Sequence, residues 1–101
     1  MSKTAELNWI FTGGELNELL IVTNLNEADA KLSLDVYFED REPIKGLTLA
    51  IPAERVFSFK LGEPFCDQQY KIPSGKYTLV LHSNLPVVAV LGDKNLYFPI
   101  K

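Results

Sequence analysis

The sequence predicts an all-β fold, a two-layer antiparallel β-sandwich of about seven or eight strands, and two observations carry that expectation. Turn-forming residues recur about every ten positions, at Gly13-Gly14, Asn24 to Glu27, Asp40 to Pro43, Pro52-Ala53, Gly62 to Pro64, Pro73 to Gly75, Asn84 to Pro86 and Gly92 to Asn95. That spacing leaves no room for amphipathic helices and their loops. Between the turns, hydrophobic residues alternate with period two, which is the pattern of a strand with one buried and one wet face.

Taken in order, Leu7 to Thr12 and Glu18 to Thr23 read as two strands joined through Gly13-Gly14, a pair that accepts positive φ and suits a hairpin. The competing helical segment, Glu15 to Leu20, is too short to propagate in water. Asn24 to Asp29 is a turn in which Asn and Asp side chains satisfy their own backbone. In the strand Ala30 to Phe38, the residues Ala30, Leu32, Leu34, Val36 and Phe38 alternate with Lys31, Ser33, Asp35 and Tyr37. Leu47, Leu49 and Ile51 repeat the pattern, as do Phe57, Phe59 and Leu61, then Tyr77, Leu79 and Leu81. Val87 to Leu91 is apolar on both faces, which suits a strand covered on both sides, inside the fold or at a subunit contact. All six prolines fall at strand ends or in loops, where a missing donor does no harm.

Length and composition bound the rest. One domain spanning residues 1–101 is expected, with 34 Leu, Ile, Val and Phe residues to fill a single core. The net charge is −3, and Arg41 and Arg55 are the only arginines, so the concentrated cationic surface of a nucleic-acid binder is missing. The single cysteine, Cys66, excludes an intrachain disulfide and a paired-cysteine metal or redox site, and it reads as a small apolar filler. Glu6 and Asn8 interrupt the N-terminal apolar stretch, so no secretory signal is expected there. The longest run without an acidic or basic residue, Tyr77 to Gly92, is too short and too polar for a membrane span. A cytoplasmic protein without membrane insertion is expected.

Chemistry is sparse. One histidine, His82, rules out metal sites built on paired imidazoles, and no nucleophile motif accompanies it. Glu39, Asp40 and Glu42 are interrupted by Arg41 and closed by Pro43, so they read as a solvated turn and not a cation loop. No cofactor, no metal and no catalytic residue is expected. Exposed aromatic rings beside polar groups make a recognition surface, which singles out Trp9, Tyr37 and Tyr70. Arg55 joins them, because alternation sets it on the face of Phe57 and Phe59, where a guanidinium needs a partner. Val87, Val88 and Val90, with the apolar stretch Leu96, Tyr97 and Phe98, are the expected contacts of a homo-oligomer, a dimer or a tetramer.

The stretch LLIVTNLNEADAKLSLDVYFEDREPIKGLTLAIPAERVFSFKLGEP, followed by IPSGKYTLVLHSNLPVVAVL, resembles the sensory rhodopsin transducer family of small bacterial β-sandwich proteins. Its recognisable pieces are the Asn24 turn leading into Ala30 to Phe38, the Asp40 to Pro43 turn, the Pro52-Ala53-Glu54-Arg55 corner and Ser83 to Val88, together with Trp9. The resemblance implies a cytoplasmic homo-oligomer with a binding or signalling role and no enzymatic reaction. The expected function is a non-enzymatic adaptor or signal-transducer-like protein that binds another macromolecule. The alternative is a small-ligand module, carbohydrate included, that would use Arg55, Trp9, Tyr37 and Tyr70.

Overall fold

The computed structural model describes residues 5–14 and 18–93, and they form six strands and no helix. These are β1 (Glu6–Gly13), β2 (Glu18–Asn24), β3 (Ala30–Phe38), β4 (Ile44–Ile51), β5 (Arg55–Lys60) and β6 (Tyr77–Asp93). All pairings are antiparallel, in the order β4-β3-β6-β2-β5, with β1 also on β6. The all-β expectation holds, but the described residues form one curled sheet of six strands and not the expected two-layer sandwich of seven or eight.

The shortfall has two physical sources. The Asn84 to Pro86 segment, expected as a turn, does not divide the chain, and Tyr77–Asp93 runs as one strand of 17 residues. Its first half lies between β3 and β1, and its second half pairs with β2. Between these halves Glu6 faces Val87 while Asn8 faces His82, so two steps on β1 match five on β6. The extra residues form a bulge, which bends a strand and lets it pass from one part of a sheet to another. Polar groups hold this corner. Asn84 Oδ1 accepts from the Lys31 N–H (2.7 Å), Asn26 Nδ2 donates to the Pro86 carbonyl (2.8 Å), and Trp9 Nε1 donates to the Val87 carbonyl (2.9 Å). The second source is the Gly62 to Pro73 region, where the only pairing among the described residues is the single bridge Phe65 to Tyr70.

The Gly13-Gly14 hairpin is also corrected, since β1 pairs with β6 and not with β2. Gly13 is needed for a close approach instead. A Cβ there would sit 2.5 Å from Glu18 Oε1 and 2.7 Å from the Tyr77 hydroxyl.

That approach shows how strongly the sheet curls. Glu18 pairs with Asp93 at one end of β6, yet its carboxylate accepts a hydrogen bond from Tyr77 at the other end. A straight strand of this length would separate those ends by about 50 Å. The curl encloses one core, to which β2 contributes Leu20 and Val22, β3 Leu32, Leu34 and Val36, β4 Leu47, Leu49 and Ile51, and β6 Tyr77, Leu79, Leu81, Val87 and Ala89. β3 and β4 meet as the alternation requires, through a bulge between Leu34 and Val36 where Gly46 takes a left-handed φ of 77°. The Asn24 turn also forms as expected: Asn24 Oδ1 accepts from the Asn26 N–H at 2.9 Å.

Candidate functional site

The four residues expected to bind a ligand are each placed by a different part of the fold. Trp9 on β1 is half-buried, stacks on Phe11 with ring centroids 5.9 Å apart, and reaches β6 through its indole N–H. Tyr37 on β3 has the opposite parity to the core residues and faces outward, with Lys45 Nζ 5.5 Å from its ring centre. Tyr70 packs against the core beside Phe65, and burial pushes its hydroxyl above the ordinary value of 10.0. Arg55 opens β5 opposite Asn24 and is exposed, with its Nη1 donating to the Glu54 carbonyl at 3.1 Å. The apolar burial expected for Arg55 is not found, because Phe57 beside it is itself 40% exposed. A shallow cleft takes in Tyr37 with Thr12, Phe38, Glu39, Lys76 and Thr78, and none of the other three lines it.

The remaining chemical groups are engaged structurally. His82 is exposed and its Nδ1 shares a hydrogen bond with Asn8. Cys66 is buried in the loop after β5. Arg41 holds the neighbouring Asp40 carboxyl below its ordinary range by a hydrogen bond and by charge. Among the described residues, no group of three or more His, Cys, Asp or Glu is placed to hold a metal ion, and no helix is long and apolar enough to cross a membrane.

Among the described residues, one ionisable pair is buried. Glu18 Oε1 accepts from the Tyr77 hydroxyl and from the Gly14 N–H at 3.1 Å. Burial and the adjoining carboxylate both push the Tyr77 hydroxyl far above its usual range, so it stays a donor at neutral pH.

The distinctive surface is apolar and lies on β2, β5 and the second half of β6. Register sets Val90, Ile21 and Ser58 in one row across the outer face, and Val88, Thr23 and Val56 in the next. Val88, Val90 and Ile21 are half-buried and Val56 is 58% exposed. Of the expected oligomer contacts, Val88 and Val90 therefore lie at the surface. Val87 does not: it is fully buried, because odd positions of β6 face the core. Leu96, Tyr97 and Phe98 lie outside the described residues. Sequence reasoning missed Ile21 and Val56. The signal for Val56 is faint, since Ser58 and Lys60 share its parity on β5 and interrupt the two-sided apolar pattern that Val87 to Leu91 shows.

Fold and surface together define a small all-β protein with an uncovered apolar sheet region. The model of the Anabaena sensory rhodopsin transducer family matches residues 12–93, and the chain belongs to that family. Its fold is that of the Anabaena sensory rhodopsin transducer structure, with a TM-score of 0.78 and 21% identity over 90% of this chain and 91% of that one. The crystal structure of Thermotoga maritima 1070 is also similar, with a TM-score of 0.72 and 25% identity over 93% of this chain and 88% of the other. A sequence comparison with curated proteins gave no match.

Proposed function

We propose that this chain is a non-enzymatic adaptor of the signal-transducing kind, which works in the cytoplasm as a homo-oligomer and binds another macromolecule. Membership of a family named for a sensory rhodopsin transducer supports the class. The observation that carries the reading is the outer face of β2, β5 and β6, where Val88, Val90, Ile21 and Val56 adjoin across three strands. An apolar patch on a sheet face, here broken by Thr23 and Ser58, is stabilised by covering it, and closed symmetric assembly is the usual way.

Light scattering tests this reading. The parent chain should give two or four times the single-chain mass of 11.4 kDa. Val88→Asp, which sets a carboxylate on the outer face without entering the core, should reduce it to the single-chain mass with the melting transition retained. A parent of single-chain mass at all concentrations would contradict self-association.

A further inference from the structure

We infer that the free edge of β5 is a docking site for a single extended, acidic peptide segment that adds to the sheet as a strand. The inference deepens the adaptor reading and rests on it, since it names the kind of partner and the place where it binds.

The backbone argument comes first. The Leu61 N–H donates to the Glu18 carbonyl at 3.1 Å, which fixes the alternation of the β2–β5 ladder. Arg55, Phe57 and Phe59 turn their backbone groups toward β2, and Val56, Ser58 and Lys60 turn theirs away. No strand lies on that side among the described residues. The Lys60 carbonyl accepts from the Glu63 N–H at 3.2 Å. That leaves the backbone groups of Val56 and Ser58, with the Lys60 N–H, as an open ladder edge, which is the template that strand addition uses.

Side chains make this edge unlike an ordinary blunted one. Five of the six β5 residues are exposed, Val56 and Phe57 among them. A cleft of about 430 Å³ runs beside the strand, with Ser58, Phe59 and Lys60 on one side and Glu63, Phe65 and Gln69 of the following loop on the other. Residues of both parities line it, as expected of a cleft along an edge and not over one face. Phe59 and Phe65, with ring centroids 6.4 Å apart, give it an apolar wall.

The cleft and the charges select the occupant. The cleft is of small-ligand size, a space that one extended segment can enter. Pairing two copies of β5 antiparallel would set the Lys60 end of one beside the Arg55 end of the other, cation toward cation. Lys60 already has Glu63 at 4.0 Å, whereas Arg55 has no carboxylate partner among the described residues. A segment with apolar residues over Phe57 and Phe59 and a carboxylate reaching Arg55 completes the site.

The test uses the full chain and two labelled ten-residue probes of alternating valine and threonine, one ending in glutamates and the other in lysines, read by fluorescence anisotropy. The glutamate-ended probe should bind at least tenfold more tightly. Ser58→Pro removes an edge donor without touching a β2 bond, and should weaken that probe at least tenfold while circular dichroism and melting stay at parent values. Arg55→Glu keeps the backbone edge and should reverse the preference between probes. Equal binding of both probes, or parent-like binding by a folded Ser58→Pro chain, overturns the inference. So does a fall in assembly mass on Ser58→Pro, which would put a second copy at this edge. An assembled parent that binds neither probe overturns the edge inference alone, and a monomeric parent that binds the acidic probe overturns self-association alone.

Discussion

Replacing Asn24 with alanine should be among the most damaging polar substitutions in the chain. Asn24 is fully buried at the end of β2, and its Nδ2 donates toward the carbonyls of Ala28 (2.9 Å), Ile51 (3.0 Å) and Pro52 (3.2 Å). Two hydrogens serve three acceptors, so one bond is shared. Its Oδ1 accepts from both the backbone and the side chain of Asn26. One side chain thus ties the β2–β3 turn to the end of β4. Alanine leaves the buried Ile51 carbonyl without its donor, at about 1–3 kcal/mol, and removes the part-buried bonds to Ala28, Pro52 and Asn26, each worth about 0.5–1.5 kcal/mol. Allowing for partial relaxation, the total is about 3–4 kcal/mol, out of roughly 5–15 kcal/mol for a domain of this size. At about 4–8 °C per kcal/mol, the melting temperature should fall by about 12–32 °C. Calorimetry and urea unfolding measure this directly. A variant that melts within about 3 °C of the parent would refute the reasoning, because it would mean that water replaces the amide at no loss.

Two further outcomes follow from the closure of the curl. The folded state holds the Tyr77 hydroxyl protonated well above its ordinary 10.0, so the stabilisation is fully present below pH 10 and is lost as pH rises beyond it. Tyr77→Phe should flatten that alkaline decline in a urea series run through pH 10, with the part due to Tyr70 retained; an unchanged decline would contradict the assignment. Gly13→Ala should lose about 1–3 kcal/mol, because its Cβ meets both Glu18 and Tyr77, whereas Gly62→Ala, with open space around it, should stay within about 0.5 kcal/mol of the parent.

Where the chain is regular, the sequence is a good guide to the fold. Alternation alone locates β3 and β4 and their buried faces, because a period of two has only one way to bury Leu32, Leu34, Leu47 and Leu49 together. It fails at corners. Ser83 to Pro86 carries every local mark of a turn, yet the same polar residues hold a bulge inside a continuous strand, since their partners, Lys31 and Asn26, come from distant positions. Gly13 reads as a hairpin glycine when its role is to let Glu18 reach Tyr77. The candidate binding residues were chosen by type, and type does not fix location. Trp9 and Tyr37 lie on opposite faces, Tyr70 is packed on the core, and only Arg55 adjoins the uncovered region. The outer face is half legible: the two-sided apolar pattern of Val87 to Leu91 points to Val88 and Val90, whereas Ser58 and Lys60 break that pattern on β5 and hide Val56.

The claim that the β2, β5 and β6 surface is where this protein binds is tested most directly by amide hydrogen exchange, mapped along the chain at high and low protein concentration. Val88, Val90 and Ile21 should gain protection as concentration rises by clearly more than Leu34 and Val36, which are buried within one chain and gain only what assembly adds to overall stability. Protection at Val88, Val90 and Ile21 that is independent of concentration, with any change confined to the outward face of β3 around Tyr37, would contradict the account.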